Sequence, residues 1–286
     1  MSDTAVAAGA DSPPPEKPGM STGDKVRFVL RGIGQTLITF GLVVLLFVVY
    51  EVWITNIFAD RNNRHNISAL EKEWAQGKDP LLPLPDGKDP TVPIGNGIGI
   101  LYMPRLGADY HEAIIQGDAT PNENQLEQGA PHYGDTQLPG EVGNFAIAGH
   151  RVGKGEPFLN LDHLRSGDAV IVETKSYWYV YRVLGTPAGG DPQQDQKEQV
   201  ATTSGGAPVL LPGREVVDPD DGAVLLPVPD NPGVTPTTAL MTMTTCTPKF
   251  TASSRMIVYA KLAQKVPSTG DTMPASIKAL YNEVNA

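Results

Sequence analysis

Hydrophobic and polar positions change rhythm three times along the chain. Residues 1–24 show no apolar periodicity and read as a disordered tail. Gly32 to Tyr50, "GIGQTLITFGLVVLLFVVY", is then a run of 19 residues without a charge. As a helix it would be roughly 28 Å long, the thickness of a bilayer's hydrocarbon core. A core helix of a soluble domain would carry a polar stripe, and this run carries almost none. Further on, "SALEKEWAQG" has Ser68 and Glu71 at capping-box spacing and Gly77 as a stop, which predicts a short stalk helix. "KDPLLPLPDGKDPTVP" follows as an extended, proline-rich spacer.

From Ile94 the rhythm becomes short alternating runs divided by turn residues. "GIGILYMPRL", "EAIIQG", "GNFAIAGH", "DAVIVETKSYWYVYRVLG", "AVLLPV", "TALMTMTTC" and "SRMIVYAKL" all read as strands. Such spacing predicts an all-β sandwich or barrel rather than a parallel α/β sheet. The stretch 186–213 is polar and rich in Gly and Pro, and is expected to be a long insert loop. "PASIKALYNEVNA" offers one or two amphipathic turns in a C-terminal tail, 265–286.

Composition narrows the function. The formal net charge of −10 argues against a nucleic-acid surface. The chain's one cysteine excludes an internal disulfide, and no His/Cys spacing suits zinc, so neither cofactor nor metal is expected. "DPDDG", Asp218 to Gly222, lacks the spacing of a calcium loop and reads as a turn. Around the apolar run, Lys25, Arg27 and Arg31 precede it while Glu51 and Asp60 come first after it. That balance predicts an uncleaved anchor over 25–55, a cytoplasmic N-terminus, and everything from 56 onward outside: stalk and linker to 93, then a β-domain over 94–264.

The cysteine, Cys246, ends a Thr-rich strand. Side chains alternate along a strand, so Thr242, Thr244 and Cys246 share one face while Met241 and Met243 point to the core. His150 ends the strand "NFAIAGH", and Arg255 opens "RMIVYAKL". Barrel geometry can bring three such tips into one groove. A thiol beside an imidazole and a guanidinium is equipped for acyl transfer. The imidazole raises the thiolate fraction and returns a proton to the departing amine, and the guanidinium holds a carbonyl or oxyanion. Other histidines are weaker candidates. His132 lies in a Pro/Gly-rich loop, His163 reads as surface, and His65 and His111 lack convergent partners; Lys249 reads as a solvated loop residue.

"TMTTC" resembles the TLxTC motif of sortases, with Met243 where the motif usually has Leu. "HYGDTQLPGEVGNFAIAGHRVGKGEPFLNLDHLRSGDAVIVET" looks most like class E sortases of actinobacteria, and the likeness runs from about Ile94 to Leu262. The resemblance implies a closed eight-stranded β-barrel with short helices behind one transmembrane helix. It implies Cys246 as nucleophile, His150 as acid/base and Arg255 as carbonyl clamp, with Thr245 and Thr244 beside the oxyanion; Tyr110, in "LGADYHEAI", reads equally as lining the peptide groove or as packing. The implied partners are surface proteins bearing a C-terminal sorting signal, Leu-Ala-x-Thr-Gly or Leu-Pro-x-Thr-Gly, and the amine of a lipid-linked peptidoglycan precursor. The residues themselves leave two other readings open: a membrane-tethered cysteine hydrolase, and a binding module with an inert thiol.

Overall fold

The computed structural model describes residues 21–50, 55–82, 90–269 and 272–284. They fall into two units, divided after Val49. The first holds α1, Thr22–Val49. Ser21 caps it, its hydroxyl accepting from the Asp24 amide at 3.2 Å. No residue of α1 is buried, and by length and composition it can cross a membrane.

The second unit is a barrel. Its strands are β1 (Gly97–Tyr102), β2 (His111–Gln116), β3 (Ala130–His132), β4 (Gly143–Ala148), β5 (Ala169–Glu173), β6 (Tyr177–Val183), β10 (Ala239–Thr247) and β11 (Ser254–Pro267). They follow the order β10-β4-β3-β2-β1-β5-β6-β11, and antiparallel pairing of β10 with β11 closes the ring. The expected eight-stranded closed barrel is thus present. Two contacts, β10–β4 and β2–β3, are parallel. Alternation decides what fills the interior. Phe145 and Ile147 of β4 meet Met241 and Met243 of β10 and Met256 and Val258 of β11, all essentially water-free.

Several elements depart from the sequence expectation. "AVLLPV" is not a strand: Gly222–Leu225 is a 3-10 turn that turns Val224 inward. The stretch 186–213 is not structureless, because it holds the hairpin β7 (Glu198–Thr202) and β8 (Pro208–Leu211). Val200, Val209 and Leu211 of that hairpin pack with Leu240, Ile257 and Tyr259 on the outer face of β10 and β11. Burial of those side chains is what orders an otherwise polar insert. A further strand, β9 (Arg214–Val217), pairs with Arg255–Val258 of β11 on the edge that β6 occupies further along.

The stalk helix starts well before Ser68. α2 runs Thr55–Ala75, so Ser68 lies inside it and caps nothing. Nor is it a free stalk, since Ile67, Leu70 and Trp74 pack on Ile100 and Ala113. A true capping box stands elsewhere, where Asn122 and Gln125 open the short helix α3, Glu123–Leu126. Gly77 follows α2 with φ 81°, the left-handed stop. The core of the proline-rich spacer, 83–89, lies outside the described residues. At the other end α4, Ala275–Glu283, seats Ile277 and Leu280 on β5 and β6.

Candidate active site

β10 and β11 place two of the three groups by backbone pairing. Cys246 and Arg255 are ladder partners across the antiparallel pair, and Cys246 is half-buried. The third group depends on β4. Because β4 runs parallel to β10, both strands end at the same rim. Beyond Ala148 the chain stays attached to β10: the Gly149 amide donates to the Thr244 carbonyl at 3.1 Å. In return the Thr245 hydroxyl donates to the Gly149 carbonyl at 2.8 Å. A side chain at Gly149 would start 2.6 Å from the Phe158 ring, so only glycine fits there. His150 comes next, its carbonyl accepting from the Phe158 amide at 3.0 Å.

His150, Cys246 and Arg255 line one groove of about 560 Å³. Thr244 and Tyr133 share its floor, their hydroxyls 2.8 Å apart. The facing wall runs from Val217 to Leu225. Asp221 caps the 3-10 turn in that wall, accepting from the Ala223 amide at 3.0 Å. Behind it the fully buried Asn144 donates from Nδ2 to the carbonyls of Val224 and Leu226, both at 3.1 Å. The Thr242 hydroxyl donates to Asn144 Oδ1 at 2.7 Å. β10 therefore divides its work: Thr242 fixes the wall, Thr244 lies in the floor and Cys246 meets the opening, while Thr245, on the other face, holds Gly149.

Burial holds the His150 imidazole below its ordinary pKa, because a charged ring would lose water. Glu123, whose carboxylate lies 3.8 Å from His150 Nε2, pulls the other way, while Lys154 adds to the lowering. Lys154 also pairs with Glu123 and, at 2.8 Å, with Glu127, joining the loop after His150 to α3. His150 Nε2 is buried and has no hydrogen-bond partner among the described residues. The Arg255 guanidinium donates from Nη1 to the carbonyls of Ala252 and Ser254, at 3.2 and 3.4 Å. Among the described residues no acceptor takes its Nε or Nη2.

Tyr110 is not part of this groove. Its hydroxyl donates to the Pro157 carbonyl at 2.8 Å, and its ring packs on the core and borders a separate cleft with Met273 and Tyr281. The sequence places it near a turn after β1 but carries no signal for which rim that turn occupies. His132 is buried, with Nδ1 3.1 Å from Gln116 Oε1 and Nε2 3.0 Å from the Gln137 carbonyl. Burial lowers its pKa to about 4, so it is a neutral structural ring. His163 is exposed, and Lys249 donates to Asn160 Oδ1 at 3.4 Å. Asp220 and Asp221 edge the groove as part of a turn. Tyr133 and Glu123 were not legible as site residues, since each becomes relevant only through the fold.

Residues 101–263 match the sortase domain family. The chain belongs to the sortase family. Sortases are cysteine transpeptidases. Among curated relatives, sortase SrtE1 of Streptomyces coelicolor is 33% identical over 243 residues, covering 83% of this chain and 58% of that protein. Sortase SrtE2 of the same organism is 31% identical over 248 residues, covering 85% of each. The chain thus spans little more than half of SrtE1 and most of SrtE2; both are class E sortases. Among solved structures, the SrtF sortase from Corynebacterium diphtheriae aligns with a TM-score of 0.53 and 36% identity. That alignment covers 67% of this chain and 96% of the other.

Proposed function

We propose that this sortase cleaves a C-terminal sorting signal between Thr and Gly and transfers the acyl part to an amine of a lipid-linked peptidoglycan precursor. The observation that carries the reading is the meeting of a half-buried thiol, its ladder-paired guanidinium and an imidazole with an unengaged buried nitrogen in one groove. The Cys246 thiol passes its proton to the neutral His150 imidazole as its sulfur attacks the Thr carbonyl carbon, and the carbonyl electron pair moves to oxygen. The unspent donors of Arg255 hold that oxygen by charge-assisted hydrogen bonds. As the C–N bond breaks, His150 gives its proton to the departing Gly amine, leaving a thioester. The acceptor amine then attacks the thioester, His150 takes a proton from it, and the thiolate leaves. Thr244 and Thr245 act from behind, as supports of the groove floor.

The resemblance to class E sortases supports a Leu-Ala-x-Thr-Gly signal in preference to the Leu-Pro-x-Thr-Gly form. Proline would prebend the peptide and lower the ordering cost, so a site preferring alanine must gain from the extra N–H. Tyr110 is not the acceptor of that N–H, because it lies off the groove. The basic residues before the apolar run support a cytoplasmic N-terminus and an outward-facing catalytic unit, a single-pass arrangement that protease added to intact spheroplasts tests directly. The deciding experiment incubates the full chain with matched Ala and Pro peptides, with and without an amine acceptor, and follows products by mass spectrometry. A thioester on Cys246, and ligated product only when amine is present, is the expected result. Hydrolysis at the same rate with amine present would make the protein a hydrolase, and faster Pro-peptide turnover would reject the signal preference.

A further inference from the structure

Arg151, directly after His150, is a charged side chain with only 6% of its surface exposed. Burying a guanidinium is costly unless its donors are met, so a solvent-pointing residue there would fold at less expense. It makes three hydrogen bonds and one ion pair. Nε donates to the Leu159 carbonyl at 3.1 Å and Nη1 to the carbonyl of Cys246 at 3.4 Å. Nη1 also lies 3.7 Å from Met256 Sδ, and Nη2 lies 3.0 Å from Asp162 Oδ1. One side chain therefore joins the residue after His150, the main chain of Cys246, and the neighbour of Arg255.

That junction fills a gap in how the site is held. Cys246 and Arg255 share a ladder. On its upstream side His150 is tied to β10 through Gly149 alone. On its downstream side the loop from Val152 to Pro157 turns away through Gly153 and Gly155, both at positive φ. Arg151 is the contact that returns that side to β10. Its guanidinium is buried and is not among the groups lining the groove. We propose that Arg151 is a positioning residue that fixes the distance between the imidazole of His150 and the thiol of Cys246. The proposal rests on the reading of those two residues as acid/base and nucleophile.

A residue of this kind acts on the chemical step and leaves peptide affinity alone. The test measures kcat and KM of the full chain with a sorting-signal peptide, well below the Tm of each variant, together with the rate at which iodoacetamide alkylates Cys246. Arg151→Lys keeps the charge but cannot span separated acceptors in a plane, so kcat should fall about tenfold or more with KM within about twofold. Asp162→Ala removes one anchor at a partly exposed position and should lower kcat about threefold, again with KM unchanged. Alkylation, which needs the thiolate, should slow in both as the imidazole moves off the thiol, whereas a loosened fold would expose the thiol and accelerate it. Loss of activity that follows KM, or that follows the unfolded fraction, would overturn the proposal. Unchanged kcat in Asp162→Ala overturns it even if the Lys variant does not fold. A wild-type protein that forms no thioester on Cys246 would instead remove the underlying reading.

Discussion

The two sides of the groove are held in different ways. Cys246 and Arg255 sit in register on β10 and β11, where a continuous antiparallel ladder from Leu240↔Lys261 to Thr247↔Ser254 sets their spacing. His150 lies beyond the end of β4, and its position depends on the Thr245 hydroxyl, the Arg151 guanidinium and the ion pairs of Lys154 with α3. Backbone pairing resists substitution because every residue type except proline supplies the same hydrogen bonds. A side-chain scaffold does not, so point mutations should disturb the imidazole far more readily than the thiol–guanidinium pair.

The largest expected effect tests the ladder side. Cys246→Ala should abolish thioester formation and cleavage, while a half-buried thiol lost from an intact ladder should change stability by less than about 1 kcal/mol. A large fall in Tm with activity kept would show a packing cysteine instead. Arg255→Lys is next: a point charge cannot reproduce the planar fork, and kcat/KM should fall at least tenfold, about 1.4 kcal/mol of transition-state binding. Near wild-type kcat/KM would reduce Arg255 to a general electrostatic role.

On the loop side, Thr245→Val deletes the hydroxyl that holds Gly149 while β10 keeps its ladder. Stability should drop by about 1 kcal/mol and kcat by several-fold, readable from denaturant titration and steady-state kinetics together. Equal kcat would mean the Gly149 amide alone suffices to place His150. The smallest effect is electrostatic. Glu123 raises the pKa of His150 and offsets Lys154, so Glu123→Gln should move the His150 titration to lower pH. NMR of the imidazole protons checks the sign, and a shift to higher pH would contradict the geometry.

The ladder side was also the legible side. Strict alternation in "TALMTMTTC" separates Met241 and Met243 from the threonines, and this is how the barrel uses them. In the C-terminal tail, Ala275–Glu283 likewise forms an amphipathic helix. β3 escaped notice because it is three residues long and contains Pro131, with too little pattern to read. α2 was cut short because its contact face mixes apolar residues with amides. Asn63 accepts from the Ala113 amide at 2.7 Å and donates to the His111 carbonyl at 3.0 Å, and Asn66 donates to the Gln128 carbonyl at 2.8 Å. Upstream of Ile67 the helix docks through these amides and shows no apolar stripe, whereas Ile67, Leu70 and Trp74 do recur at helical spacing. In the 222–228 stretch the opposite happened: apolar residues that cover Asn144 as a turn looked like a strand. Tyr110 was misplaced because sequence distance says nothing about which rim a loop joins.

Parallel pairing of β10 with β4 has a consequence for the order of assembly. β10 and β11 are neighbours in sequence, joined by a short loop, and their hairpin can close early. The β10–β4 contact instead joins Ala239 to Gly143, roughly a hundred residues apart, a closure that is slow because so much chain must first be ordered. A newly made chain therefore carries its thiol and guanidinium together before the imidazole arrives, and peptide-cleaving activity should lag behind strand formation during refolding. Refolding followed at once by circular dichroism and by peptide cleavage should show the thiol silent until β4 has joined β10.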